Sequence, residues 1–249
     1  MKKTTAILAI LIAIAFVGIN ARAALILNQS TWTGDVDMTA QGTADWVVWD
    51  TDDQAKNTEW TDPLSDARVE KAGGTAIGAL DRLTTGNDTY TQLTKDNDGT
   101  EVELNWTDGD APTSGEATQG LRTGTGTRDG SSEGHGFTFD VTAGPVSQTL
   151  YVYTGTFEAE GTFRAILKDG LGDEIASESA TLTTDKGIWD VTFSDADAAT
   201  LTIEWENTNR TGDWDNVQLF GATMTTIPEP ASLALLCLAG AAVLGRRRR

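Results

Sequence analysis

An all-β fold of two packed sheets is predicted by three features of the chain. Short runs alternate polar and apolar residues with a period of two. Turn-forming residues separate those runs at regular intervals. Thr and Gly are plentiful, while stretches of helical periodicity are few. This pattern argues a β-sandwich or jelly roll, with one apolar helical segment at each end of the chain.

Asp45-Trp46-Val47-Val48-Trp49-Asp50 is a compact strand bounded by acids. Trp46 and Trp49 face opposite sides of such a strand, so at least one is expected to meet solvent or a second sheet. Tyr90 to Leu93 is another short strand. In Glu101 to Trp106, the residues Val102, Leu104 and Trp106 share one face. Phe137, Phe139 and Val141 turn inward from the next strand. Leu150 to Tyr153 is expected to pair with Phe163 to Leu167 across a Gly-containing connection. Ile188 to Phe193, Leu201 to Trp205 and Trp214 to Phe220 complete the set. Turns are marked by Asn97-Asp98-Gly99, Asp108-Gly109, Asp169-Gly170 and Thr211-Gly212. Ala111 to Gly136 holds seven glycines and few large apolar groups. It is expected to be a long loop with one strand near Thr118 to Thr123, and Thr51 to Pro63 is expected to be a second loop.

The two ends carry addresses rather than core. Lys2 and Lys3 form a basic start, Ala6 to Ile19 an uncharged apolar run, and Ala21-Arg22-Ala23 a small-x-small cleavage site. That is a signal-peptide helix over residues 1–23, cut by signal peptidase to leave Ala24 first. At the other end, Pro228 and Pro230 bar a continuous helix or a central strand. The uncharged run Ala231 to Gly245 is rich in Ala and Leu and favours a hydrophobic helix. Arg246, Arg247, Arg248 and Arg249 close the chain, and such a cluster stays on the cytoplasmic side of a membrane. The run of 15 residues falls short of the roughly 20 that span a bilayer comfortably. Arginine snorkelling and local thinning cover part of the gap.

Pro228, Glu229 and Pro230, the apolar span and the arginine end together resemble a PEP-CTERM sorting signal over residues 227–249. The resemblance implies an exosortase, a membrane-embedded cysteine protease, as partner. It also implies a Gram-negative source, often one that makes exopolysaccharide, and a transient membrane anchor in the C-terminal helix before processing.

Between the two addresses lies a domain of residues 24–226. The whole chain has 18 basic and 37 acidic residues. Lys2, Lys3, Arg22, the four terminal arginines and Glu229 fall outside the domain, leaving 11 against 36 and a net charge of −25. Such a surface repels nucleic acid and anionic lipid, and it attracts divalent cations. The sole cysteine, Cys237, lies in the tail, so the domain forms no disulfide and has no thiol nucleophile. Ala44 to Trp49, Lys71-Ala72-Gly73-Gly74, Trp106-Thr107-Asp108-Gly109, Gly134-His135-Gly136-Phe137 and Thr149 to Tyr153 are similar to a jelly-roll module of secreted bacterial proteins. That module often stands beside carbohydrate-binding modules, and the resemblance implies a fold rather than an activity.

No catalytic constellation stands out, and the sole histidine, His135, reads as a turn or strand-edge residue. Calcium is the one cofactor that the acids point to. Asp96-Asn97-Asp98-Gly99 and Asp108-Gly109-Asp110 pack oxygen ligands into turns without EF-hand spacing. Asp213 and Asp215, on one face of a strand Asp213 to Val217, match the acid that often holds a structural calcium in carbohydrate-binding jelly rolls. Of eight tryptophans, Trp106, Trp189 and Trp205 fit core positions, while Trp32, Trp60 and Trp214 sit near turns. Trp60 is the candidate for an exposed indole that stacks on a sugar ring. The sequence therefore points to an exported, non-enzymatic β-sandwich, sorted to the cell surface or exopolysaccharide matrix and binding glycan. A polysaccharide lyase or hydrolase and a purely structural matrix protein are the alternatives.

Overall fold

The computed structural model describes residues 24–49, 68–83, 89–92, 103–118, 120–124, 132–182, 184–195 and 197–227. Both terminal helices, Ala21 and Ala23, Trp60, the Asn97 turn and the tail from Pro228 lie outside these residues. Among the described residues no helix is long and apolar enough to cross a membrane.

Two sheets face each other. The larger has the order β1 (Ala24–Thr31), β14 (Lys186–Ser194), β11 (Gln148–Phe157), β16 (Asn216–Thr226), β3 (Asp45–Val48) and β4 (Val69–Glu70). Beside this path, β9 (Leu121–Gly124) pairs with both β16 and β6 (Thr89–Gln92). The smaller has the order β13 (Glu174–Leu182), β12 (Ala159–Asp169), β15 (Ala198–Arg210), β10 (Gly136–Thr142) and β5 (Ile77–Arg82). The all-β sandwich expected from the alternation is therefore the observed fold.

Period-two alternation builds the core directly. Phe137, Phe139 and Val141 on β10, Phe163, Ala165 and Leu167 on β12, and Leu201, Ile203 and Trp205 on β15 point inward from one sheet. Leu150, Val152, Trp189, Val191 and Phe193 answer from the other. Phe163 stacks on Trp189 across the two sheets, with centroids 4.7 Å apart and planes 14° from parallel. Two of the indoles in this core are satisfied: Trp189 Nε1 donates to Thr154 Oγ1 at 2.8 Å and Trp205 Nε1 to the Gln218 carbonyl at 3.0 Å.

The structure corrects two expectations. Leu150–Tyr153 and Phe163–Leu167 do not pair. β11 hydrogen-bonds to β14 and β16, while β12 bonds to β13 and β15. The chain leaves one sheet and enters the other at Glu158, whose φ is +49°. A left-handed corner turns the strand sharply enough for both apolar faces to meet across the core.

The second correction concerns layers. A third sheet, of β2 (Val36–Asp37), β7 (Leu104–Trp106) and β8 (Gly115–Ala117), forms with the short helix α1 (Met38–Gln41). A second core beneath these elements gathers Trp32, Met38, Trp46, Val48, Leu104, Trp106, Tyr153 and Phe220. Trp49 faces the first core and Trp46 this second one, so neither indole meets solvent. Trp32 sits edge-on to Phe220 at 5.0 Å, and the Lys186 ammonium lies 5.3 Å from the Phe220 centroid. A polar knot ties the layer down. Asp108 accepts from Thr39 Oγ1 at 2.7 Å, Trp46 Nε1 at 2.8 Å and Lys71 Nζ at 2.5 Å. Burial alone would raise the Asp108 carboxyl, but these donors outweigh it and hold it below the usual aspartate value.

Register places both described chain ends at one rim. Ala24 pairs with Ser194, and Gln148 pairs with Phe193 on one side and Thr226 on the other. Two strands separate β1 from β16, so the two ends are about 14 Å apart at ordinary strand spacing. The opposite rim carries Thr31, Lys186, Phe157 and Asn216.

Candidate functional site

The opposite rim holds the most exposed tryptophan among the described residues. β15 ends at Arg210 and β16 begins at Asn216, and the turn between them contains Trp214, 51% exposed. The other exposed large apolar residues are aliphatic.

The turn is held rigid by its neighbour Glu158. The Glu158 carbonyl accepts from the Thr211 N–H at 2.8 Å and the Gly212 N–H at 3.1 Å. The Glu158 carboxylate accepts from the Trp214 N–H at 2.7 Å. A non-glycine residue at positive φ stores strain, and it persists here because the turn is bonded to both its main chain and its side chain. On the far side, Asn216 Nδ2 donates to the Trp214 carbonyl at 2.8 Å.

A buried polar network supports the turn from below. Asp215, Asn207 and Ser132 are almost completely buried. Asp215 Oδ2 accepts from the Ser132 N–H and from Asn207 Nδ2, both at 2.9 Å. Ser132 Oγ donates to the Asp215 carbonyl at 2.7 Å. Asn207 occupies the inward position after Trp205, where the alternation of β15 would otherwise place an apolar side chain. Its main chain also fixes residues 132–135, accepting from Gly134 N–H at 2.7 Å and donating to the His135 carbonyl at 2.8 Å. His135 therefore takes the strand-edge place expected of it.

Asp213 and Asp215 do not share a strand face. Asp213 lies in the turn and is well exposed, Asp215 is buried, and the strand begins only at Asn216. Arg210 lies against both, with ion pairs of 3.7 Å to Asp213 and 3.8 Å to Asp215, and its Nε donates to the Gly212 carbonyl at 2.6 Å. Among the described residues no group of three or more His, Cys, Asp or Glu side chains is placed to hold a metal.

Trp214 thus shares its turn with the exposed Asp213 carboxylate, its main chain is bonded to the Glu158 carboxylate on one side and to Asn216 on the other, and its side chain is half exposed. The sequence set Trp214 near the Thr211-Gly212 turn but in the strand that follows it, whereas the strand begins only at Asn216. The main chain of Trp214 is held by Glu158, 56 residues away in sequence, which carries no local signal.

A second surface is the open face of the smaller sheet. Arg164 lies 3.5 Å from Glu204 and 3.4 Å from Glu174. Burial raises the Glu206 carboxyl, and the Glu204 charge two residues away raises it further. A carboxyl harder to ionise folded than unfolded loses stability as pH rises through the interval between its two values. The E206Q variant lacks that loss. Melts between about pH 4 and about pH 7 should show E206Q gaining on the wild type as pH rises, with the gain shrinking in high salt.

Residues 226–249 match the family model of the PEP-CTERM protein-sorting motif. The motif marks an exported protein with a C-terminal sorting tail. No curated protein matches the chain. Among solved structures, the chain is similar to the enzymatically active domain of tailspike protein 4 of bacteriophage CBA120. The identity is 12% and the TM-score 0.41, over 60% of this chain and 19% of that one. It is also similar to the family 22 carbohydrate-binding module of Clostridium thermocellum Xyn10B, at 13% identity and a TM-score of 0.33, over 60% of this chain and 88% of that one. The tandem family 22 modules of Paenibacillus barcinonensis Xyn10C share 16% identity at a TM-score of 0.33, over 64% of this chain and 48% of that one. The chain thus spans about a fifth of the tailspike domain's length.

Proposed function

We propose that this protein is an exported, non-enzymatic β-sandwich that an exosortase processes at its C-terminal tail and that binds a glycan of the cell surface or exopolysaccharide matrix through the Trp214 turn. The observation that carries the reading is the PEP-CTERM motif at 226–249, which begins at the last residue of β16. The sorting address and the folded body share one strand end. Trp214 supports the binding half, because its indole is exposed while its main chain is held from both sides.

The test uses full-length protein recovered from an exopolysaccharide-producing host. Wild type is expected to be retained on the host's own matrix polymer. W214A should lose about tenfold in affinity, the order of one aromatic stacking contact, with an unchanged melting temperature. Equal retention of the two proteins would remove the binding half. An unshortened tail in a host that carries the exosortase would remove the sorting half.

Asp213 and Asp215 are read as partners of Arg210 rather than of calcium. A melting temperature that falls on chelation and recovers with calcium would reverse that assignment. The enzymatic alternative would rest on Glu204 and Glu206, the acid pair on the open face of the smaller sheet. New reducing ends or unsaturated products from the matrix polymer, lost in E204Q, would favour it.

A further inference from the structure

We infer that the rim at which β16 ends is a membrane-docking surface, seating Val146, Leu171 and their aliphatic neighbours among the headgroups of a zwitterionic bilayer. The inference rests on the reading of the tail as a membrane address and adds a contact made by the folded body itself.

The apolar side chains left in water are not scattered over this fold. Among the described residues six large ones are well exposed: Ile26, Val146, Leu171, Ile175, Trp214 and Ile227. Trp214 stands alone at the far rim. The five aliphatic ones belong to the near rim, which main-chain bonds join into one surface. Asp169 of β12 pairs with Ala198 of β15. The Ala143 N–H donates to the Ala199 carbonyl at 3.1 Å, and the Asp195 N–H to the Gly144 carbonyl at 3.3 Å. The Ile227 N–H donates to the Ser147 carbonyl at 2.8 Å, and Ala24 pairs with Ser194.

Leu171 is 89% exposed at the tip of the hairpin between β12 and β13. Its turn is firmly built: Asp169 Oδ1 accepts from the Leu171 N–H at 2.8 Å and from the Asp173 N–H at 2.9 Å. Gly172, at φ +90°, closes the tip. Val146 occupies the neighbouring loop between β10 and β11. A single exposed aliphatic side chain is ordinary, but five gathered at one end of a strongly acidic body mark a contact surface.

The course of the chain says what lies against it. β16 delivers Ile227 to this rim, and the sequence reaches the uncharged run Ala231 to Gly245 only four residues later. Four residues span at most about 15 Å. A bilayer that takes up that run therefore lies within reach of Val146 and Leu171. Tethering also raises the local concentration of lipid, so a few aliphatic side chains suffice where they would bind poorly alone. Charge selects the lipid. Asp169, Asp173 and Glu174 flank the hairpin tip, so anionic headgroups are repelled while zwitterionic ones offer an ammonium.

The test uses the full chain reconstituted into phosphatidylcholine vesicles. A fluorescent dye is attached through V146C, or through T211C at the far rim, with C237S removing the native thiol. Quenching by a neutral, water-soluble nitroxide is then read. The dye at position 146 is expected to be shielded and the dye at 211 fully quenched. Adding L171D should lower the shielded population at 146 about tenfold while the protein still floats with the vesicles and melts unchanged. Equal quenching at 146 and 211 in floating protein overturns the docking surface and leaves the tail reading standing. Protein that does not float overturns both. Shielding at 146 that persists in detergent and grows with protein concentration would assign the rim to a second copy of the chain and overturn the inference. Stronger shielding on phosphatidylglycerol vesicles would overturn the choice of lipid.

Discussion

Replacing Trp205 with alanine is expected to cost about 3–5 kcal/mol, the range for deleting a fully buried tryptophan. That is a large share of the roughly 5–15 kcal/mol that holds an ordinary domain folded. Trp205 is completely buried and lies 6.0 Å from Trp189, itself stacked on Phe163. Its removal opens a cavity between the two sheets and leaves the Gln218 carbonyl without its indole donor. The indole also explains a glycine. A Cβ on Gly161 would sit 2.0 Å from Trp205 Cη2, so the ring crosses the backbone of β12 where only glycine fits. G161A should therefore be strongly destabilising alone and far less so on the W205A background. Urea unfolding of the two single variants and the double variant measures that coupling, with an unchanged m-value indicating that the denatured state is not involved.

Asp215 to alanine is the second large effect, about 3 kcal/mol or more. Its side chain is 1% exposed, and its loss strands two donors, the Ser132 N–H and Asn207 Nδ2, in a buried site. D215N should cost less, because one amide oxygen can still accept from Ser132 and Asn207 while the amide nitrogen replaces the oxygen that faces Arg210. In D215A, amide exchange should accelerate most in residues 132–135 and in the turn around Trp214, while the centre of β12 stays protected. Uniform acceleration across the sandwich would mean that the network is global support rather than a local brace.

The strands were legible because each carries its alternation locally. Phe137-Thr-Phe-Asp-Val and Leu201-Thr-Ile-Glu-Trp need only their own residues to say which side is inward. The partner of each strand was not legible in the same way. The four apolar positions of Leu150–Tyr153 suit a hairpin with Phe163–Leu167 as well as the observed place on the opposite sheet. The decision falls to Glu158, whose left-handed conformation no glycine or asparagine announces. The third layer was hidden for a related reason. Trp46 and Trp49 both look like core residues, and one strand cannot reveal that two different cores claim them. The tail was legible because a sorting signal is a linear code that needs no partner elsewhere in the chain. At the candidate site the turn was visible, but the brace that holds the main chain of Trp214 comes from Glu158, between β11 and β12, and the support below it from Ser132 and Asn207, which only folding brings near.

Because Ala24 and Thr226 leave from one rim and Trp214 stands at the other, the length of β16 sets a reach. Eleven residues at about 3.3 Å each put the indole some 35 Å beyond the point where the tail joins the body. A fluorophore fused at Ala24 would report from the rim that carries the tail and leave the Trp214 tip unobstructed, whereas the same label in the Thr211–Asp215 turn would cap it. With the tail held at the envelope, as the proposed sorting requires, energy transfer from an Ala24 dye to a labelled envelope should be efficient, and from a turn dye weak.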